Sequence, residues 1–138
     1  MIQKVNPKFV PMYIKKDPVR PHINAETRML PGRDIYHIDE KAFVCLAYLD
    51  RVPADEETLL SANIGTVVVA YTVWSLEKGM GRKIILDLQA MIRETYRFKR
   101  LVTLSPKTEM ATKFHLSNGA ELIAENMTTN NFEYDIEW

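Results

Sequence analysis

The residues best suited to chemistry stand together in one short stretch, Lys78-Gly79-Met80-Gly81-Arg82-Lys83. A Gly-x-Gly turn that opens a helix aims free backbone N–H groups and the positive end of the helix dipole at one point, which suits a phosphate. Arg82 and Lys83 fall in the first helical turn, where each cation opposes the dipole by roughly a few tenths of a kcal/mol. Lys78 adds a third positive charge just before the glycines. Three cations around a helix N-terminus read as an anion site, but they also read as solvated charges beside an ordinary turn. The motif alone leaves both readings open. A Walker loop needs Gly-Lys-Ser/Thr after the second glycine, and Gly81 is followed by Arg82 and Lys83. A dinucleotide fingerprint needs a third glycine where Ile84 stands and an acid at the end of the next strand, and residues 101–105 supply none.

Few other side chains offer reactivity. The histidines, His22, His37 and His115, show no metal-ligand spacing, so no metal site is expected. Ser105 lies at a strand end but in no Gly-x-Ser-x-Gly elbow, so a hydrolase triad is not indicated. The single cysteine, Cys45, sits in an apolar strand pattern, excludes an internal disulfide and reads as a buried, inert thiol. No general base stands out: Glu26, His22, His37 and Tyr48 are the remaining candidates, and each suits a structural use better.

The elements that must position these groups follow from periodicity. Residues 66–74 are β-branched and aromatic on both alternating faces, as in a strand covered on both sides. After the glycine turn, Ile84, Ile85, Leu88, Met91 and Ile92 share one face of a helix. Upstream, residues 35–38 and 42–49 flank Asp39-Glu40-Lys41 and predict a hairpin. Residues 50–63 predict a polar loop with a short helix near 54–60, its acids a solvated face. Downstream come a strand at 100–105 ended by Pro106 and a helix at 108–116 with Met110, Ala111, Phe114 and His115 inward. Asn118-Gly119 stops that helix, and strands at 120–124 and 131–136 close the chain. Residues 1–34 carry five prolines, which rule out a long helix; a strand within 5–14, a helical turn capped by Asn24 and an arm wrapped over the core are expected. The order of elements is α/β with a mixed sheet.

With 138 residues the chain is one domain, an arm over 1–34 and a core over 35–136. Its formal charge of zero provides no global field toward nucleic acid or a membrane surface. No apolar run approaches membrane-spanning length and the N-terminus lacks a signal-peptide core, so a soluble, cytoplasmic protein is expected.

The second half resembles the GNAT superfamily of acetyl-CoA-dependent N-acetyltransferases. The family's pyrophosphate motif, Arg/Gln-x-x-Gly-x-Gly/Ala, matches Leu76 through Gly81, and its next helix, Asn-x-x-Ala-x-x-Phe/Leu-Tyr-x-x-x-Gly-Phe, matches Thr108, Ala111, Phe114, His115 and Gly119 in register. The likeness spans about residues 35–136, and the two motifs have the family's separation. Leu76, Thr108, His115 and Ala120 depart from it.

The resemblance implies a mostly antiparallel mixed sheet with helices on both faces, and acetyl-CoA as cosubstrate. It places the pyrophosphate on the N–H groups of residues 78–83, that is Lys78, Gly79, Met80, Gly81, Arg82 and Lys83. The thioester would lie near Val73, Trp74 and Ser75, where a backbone N–H polarises its carbonyl, with Thr108, Ala111 and Phe114 lining the cofactor from the next helix. His115, at the family's tyrosine position, would donate a proton to the departing thiolate, and Ser105 would order a water that relays the amine proton. The activity implied is direct transfer of an acetyl group to a primary amine of a small molecule or protein. No nucleic-acid or membrane partner is implied, and a homodimer is left open. The other class of function is a non-catalytic acyl-CoA-binding or protein-interaction module on the same fold.

Overall fold

The computed structural model describes residues 1–137. Its frame is a hairpin and the central strand: β2 (Arg33–Ile38), β3 (Ala42–Leu49) and β4 (Val67–Ser75) pair antiparallel in that order. The hairpin turn holds Asp39 and Glu40 at φ of 50° and 57°, the left-handed pair that matches strand twist. A two-residue strand, β1 (Gln3–Lys4), adds to β2. Beyond β4 lies β5 (Arg100–Thr103), its parallel neighbour, and then β8 (Thr129–Tyr134), antiparallel to β5. The short β6 (Ser105–Pro106) and β7 (Glu121–Glu125) both pair with β8 as well. The α/β, mostly antiparallel reading of the sequence holds, with one parallel pair at the sheet's centre.

Helices cover both faces. On one, α4 (Met80–Thr95) buries Ile84, Ile85, Leu88 and Ile92 against Val68, Ala70, Leu101 and Phe132. Each such side chain contributes about 1.5–3 kcal/mol of burial. The nine-residue α5 (Glu109–Ser117) lies on the same face through Phe114 and His115. It ends on Gly119 at φ 97°, as its sequence predicts. Met110, expected inward, is 83% exposed, because α5 turns only the stripe of Ala111, Phe114, His115 and Asn118 toward the sheet.

The other face carries the N-terminal arm and α3 (Glu56–Ser61), contributing Val5, Val10, Ile23 and Leu59. The strand expected within 5–14 is instead a 3₁₀ turn, Pro7–Phe9, running into α1 (Val10–Tyr13). Asn6 caps the turn by accepting the Lys8 N–H at 3.0 Å, and Pro7 stands where a helix start tolerates proline. The one-turn α2 (Ala25–Arg28) is capped by Asn24, which accepts from Thr27 N–H at 2.8 Å.

The central strand β4 is irregular in its second half. Cys45 pairs with Thr72 and Leu46 with Ala70, so Tyr71 is an extra residue and β4 bulges there. Pairing with β5 ends at Ala70 and Thr103, so residues 71–75 run on without it. After Thr103 the chain swings to β8: Asn131 donates to the Thr103 carbonyl at 2.8 Å, and Pro106, expected to end the strand, pairs with Thr129.

Cys45 is fully buried and burial pushes its thiol up to about 12. Native protein at pH 8 is therefore expected to resist iodoacetamide and to take one label per chain only in denaturant. Mass spectrometry checks this, and rapid native labelling would contradict the packing of β3.

Candidate active site

The split between β4 and β5 gives the sheet an open notch, and the glycine turn sits at its β4 side. Leu76 N–H donates to the Lys41 carbonyl at 2.7 Å, tying the strand exit to the hairpin. Met80 N–H closes a turn on the Glu77 carbonyl at 3.2 Å, and Gly79, at φ 86°, starts α4. Only glycine adopts that φ at no cost. A Cβ there would meet nothing within 4 Å, so the turn faces open space. Gly81 has a different reason: a Cβ would come 3.3 Å from Phe114 Cε1 and 3.6 Å from Ser75 Oγ. Its missing side chain lets α5 close onto the start of α4, which brings Ser75, Gly81 and Phe114 together. Among the described residues, neither the Gly81 nor the Arg82 N–H has a backbone acceptor, as the first turn of a helix dictates.

The three cations of the motif are placed differently from one another. Arg82 Nη1 donates to Asn118 Oδ1 at 2.7 Å, clamping α4 to the end of α5. Lys83 Nζ lies 3.3 Å from Asp87 in an i,i+4 pair. Among the described residues neither Lys78 nor Arg82 has an ion-pair partner, and the Arg82 bond goes to a neutral amide, so the charges of Lys78 and Arg82 and the helix end itself are left for an anion while Lys83 is paired.

Other expected site residues divide. Val73 packs toward α4, while Trp74 is buried on the arm side, stacked on Phe43 at 5.0 Å, with no partner for its Nε1 among the described residues. Thr108 is the N-cap of α5, its hydroxyl accepting from Ala111 N–H at 3.1 Å, so that oxygen is engaged. Ser105 shares a hydrogen bond of 2.8 Å with Thr103 and is buried at the foot of the notch.

His115 is placed by packing. Its ring lies 5.1 Å from that of Phe132, and its Nδ1 is 2.7 Å from the hydroxyl of Tyr134. Tyr134 pairs with Leu101, near the start of β5 and away from the open end of the notch. Burial pushes the imidazole down to about 4, leaving it uncharged at neutral pH. Burial against Phe132 and the bond to Tyr134 therefore favour a packed residue over the expected acid role of His115.

The base candidates scatter. Tyr48 donates to Asp34 Oδ2 at 2.7 Å at the far end of β4, its phenol raised by burial and then by Asp34. It lines a groove of about 730 Å³ with Ile64 and Phe98 that touches none of the expected cofactor residues. His37 accepts the Glu40 N–H at 3.1 Å and stacks beside Phe43. His22 Nε2 lies 2.6 Å from Glu56, exposed on the arm side. Sequence reasoning missed two features on that side. One is the aromatic row Tyr13, Phe43 and Trp74; the other is Arg20, whose Nη1 donates to the Tyr71 carbonyl at the bulge. The row is encoded only by strand register, and the arginine by no periodic signal.

No protein-family model matches the sequence, and no curated protein matches it. Solved structures do. The loading GNATL domain of CurA from Lyngbya majuscula superposes with a TM-score of 0.71 at 12% identity, covering 99% of this chain and 97% of that one. The chain has the GNAT fold. Among its GNAT-fold neighbours, yncA, a putative acetyltransferase from Salmonella typhimurium solved with its cofactor acetyl-CoA, matches with a TM-score of 0.64 at 11% identity over 99% of this chain and 94% of that one. A malonyl-CoA decarboxylase from Agrobacterium vitis matches at 20% identity and a TM-score of 0.65. That match covers 77% of this chain and 33% of the decarboxylase. Among the described residues no helix is long and apolar enough to cross a membrane.

Proposed function

We propose that the protein is an acyltransferase that moves an acetyl group from acetyl-CoA to a primary amine by direct attack in a ternary complex. The observation that carries this reading is the junction of the β4–β5 split with the left-handed Gly79 turn, which offers the unpaired N–H groups of Gly81 and Arg82 beside open space. Those N–H groups, Lys78 and the dipole of α4 would hold the pyrophosphate of acetyl-CoA, which supplies the activated acyl group. The residues fit that group: the turn is uncrowded and its donors are not spent within the helix. Val73, Trp74 and Ser75 would flank the thioester at the strand end. The amine nitrogen bonds to the acyl carbon as the carbon–sulfur bond breaks. The amine's proton leaves to solvent, and the thiolate is protonated from solvent. His115 has no part in that exchange, because it is buried and uncharged.

The same property of His115 favours a second reading, a non-catalytic acyl-CoA-binding module. Calorimetric titration with acetyl-CoA, with CoA and NAD as controls, tests both: saturable binding of the two CoA species and not of NAD is expected. Gly79→Val forces a branched side chain to positive φ and is expected to weaken that binding about tenfold. Binding without thiol release across an amine panel would select the module, conversion of malonyl-CoA to acetyl-CoA and carbon dioxide without an amine and with the thioester intact would select a decarboxylase, and no binding would end the CoA reading altogether.

A further inference from the structure

The bulge in β4 is tied to the N-terminal arm at both of its residues. The Tyr71 carbonyl accepts from Arg20 Nη1, and the Thr72 hydroxyl donates to Asp17 Oδ1 at 2.8 Å. The same Asp17 oxygen accepts the N–H groups of Val19 and Arg20 at 2.7 and 3.2 Å. Its other oxygen takes Arg28 Nη1 at 2.8 Å. Arg28 also donates to the Arg20 carbonyl at 2.6 Å, to the Ile23 carbonyl at 2.9 Å and, from Nη1, to Cys45 Sγ at 3.6 Å. At the outer end, Arg20 Nε lies 3.3 Å from Glu56 Oε1 on α3. A continuous polar chain therefore runs from the surface of α3 through Arg20 to the backbone of β4, at the place where β5 has just departed.

A bulge needs no charge to exist, and burying a guanidinium is costly unless its donors are all used. Here the donors hold one backbone carbonyl and one carboxylate, and both bulge residues are pinned to the arm. Residues 72–75 and the glycine turn continue directly from that pinned point. We infer that Arg20 is a positioning residue for acyl transfer: it locks the Tyr71–Thr72 bulge and so aims the end of β4, making the proline-rich arm part of the catalytic apparatus. This rests on the acyltransferase reading above for its purpose, and on the bulge geometry for its mechanism.

The test compares wild type with Arg20→Gln, Arg20→Lys and Thr72→Val. Amide hydrogen exchange without substrate comes first. In Arg20→Gln the amides of residues 72–75 are expected to exchange about tenfold or more faster while those of Val68 and Val69 stay unchanged. Acetyl-CoA titration and thiol release with hydroxylamine, a small neutral nucleophile, come second. Affinity is expected to stay within about threefold of wild type while turnover falls about tenfold or more, with Arg20→Lys recovering part of the loss and Thr72→Val losing less than Arg20→Gln. Uniform acceleration of exchange across the whole sheet, or turnover that survives per folded molecule, overturns the inference. A wild type that binds no acetyl-CoA overturns the acyltransferase reading instead, while the exchange comparison still decides whether Arg20 holds the bulge.

Discussion

Arg28→Ala is expected to destabilise the folded protein by about 3–5 kcal/mol, read as a drop in the urea midpoint at unchanged slope. Arg28 has 0% relative exposure, and the side chain of Asp17 is equally sealed. Removing the guanidinium leaves the Asp17 carboxylate buried without its counter-charge and takes the donors from the Arg20 and Ile23 carbonyls. It also empties a volume next to Cys45, whose Sγ lies 3.6 Å from Arg28 Nη1. Attraction across such a pair only offsets desolvation, so the large effect comes from orphaning one partner rather than from the worth of the bridge. Asp17→Ala should cost a comparable amount, and the double variant clearly less than the sum of the two, because the second removal takes away the stranded group. Strict additivity, or a single-variant cost below about 1 kcal/mol, would show that the arm does not dock as described.

The second large effect is acid sensitivity set by His115. Its folded-state value of about 4 lies below the ordinary 6.5 of the unfolded chain because burial disfavours the charged ring. Between those values the unfolded chain binds a proton that the folded protein refuses. Stability from this residue is therefore complete above about pH 6.5, falls as pH drops toward about 4, and changes no further below; the loss amounts to about 3 kcal/mol. Exposed carboxylates such as Asp50 and Asp55, held low by Arg51 and by the Thr58 N–H respectively, add their own acid loss, so the contribution of His115 is the difference between wild type and His115→Gln. Urea titrations at pH 7, 5.5 and 4 should show the two curves converging as pH falls, with the variant the less pH-dependent. If acyl transfer is demonstrated, His115→Phe should change turnover per folded molecule by less than about threefold. A loss of a hundredfold there would restore the proton-donor role that the buried geometry argues against.

Much of the fold was legible because some features depend only on neighbours along the chain. The β-branched run of β4, the apolar stripe of α4, the Asn24 cap, the Thr108 start and the Gly119 stop of α5 are each set by periodicity or by a demand on φ within a few residues. The left-handed Gly79 is of the same kind. The prolines of residues 1–34 made the absence of a long helix legible, and, the Asn24 cap aside, the local elements and contacts of that segment were not.

By itself, then, the sequence determined the order of the core elements, the mixed α/β class and the turn that opens α4, while the parallel pair at the centre and its parting were shown by the structure. Tertiary structure alone decided where the charged and titratable groups went. An arginine in a one-turn helix is ordinarily exposed, and Arg28 is buried because Asp17 and the carbonyls of Arg20 and Ile23 converge on it. Thr72 and Asp17 meet across 55 positions, and Arg82 and Asn118 across 36. Whether Arg82 faces an anion or a helix end, and whether His115 faces a cleft or Phe132, depends on how α5 closes over Gly81. Local pattern sets which residues line one face of an element; partners distant in the chain set what that face meets, and with it every charge and proton in the site.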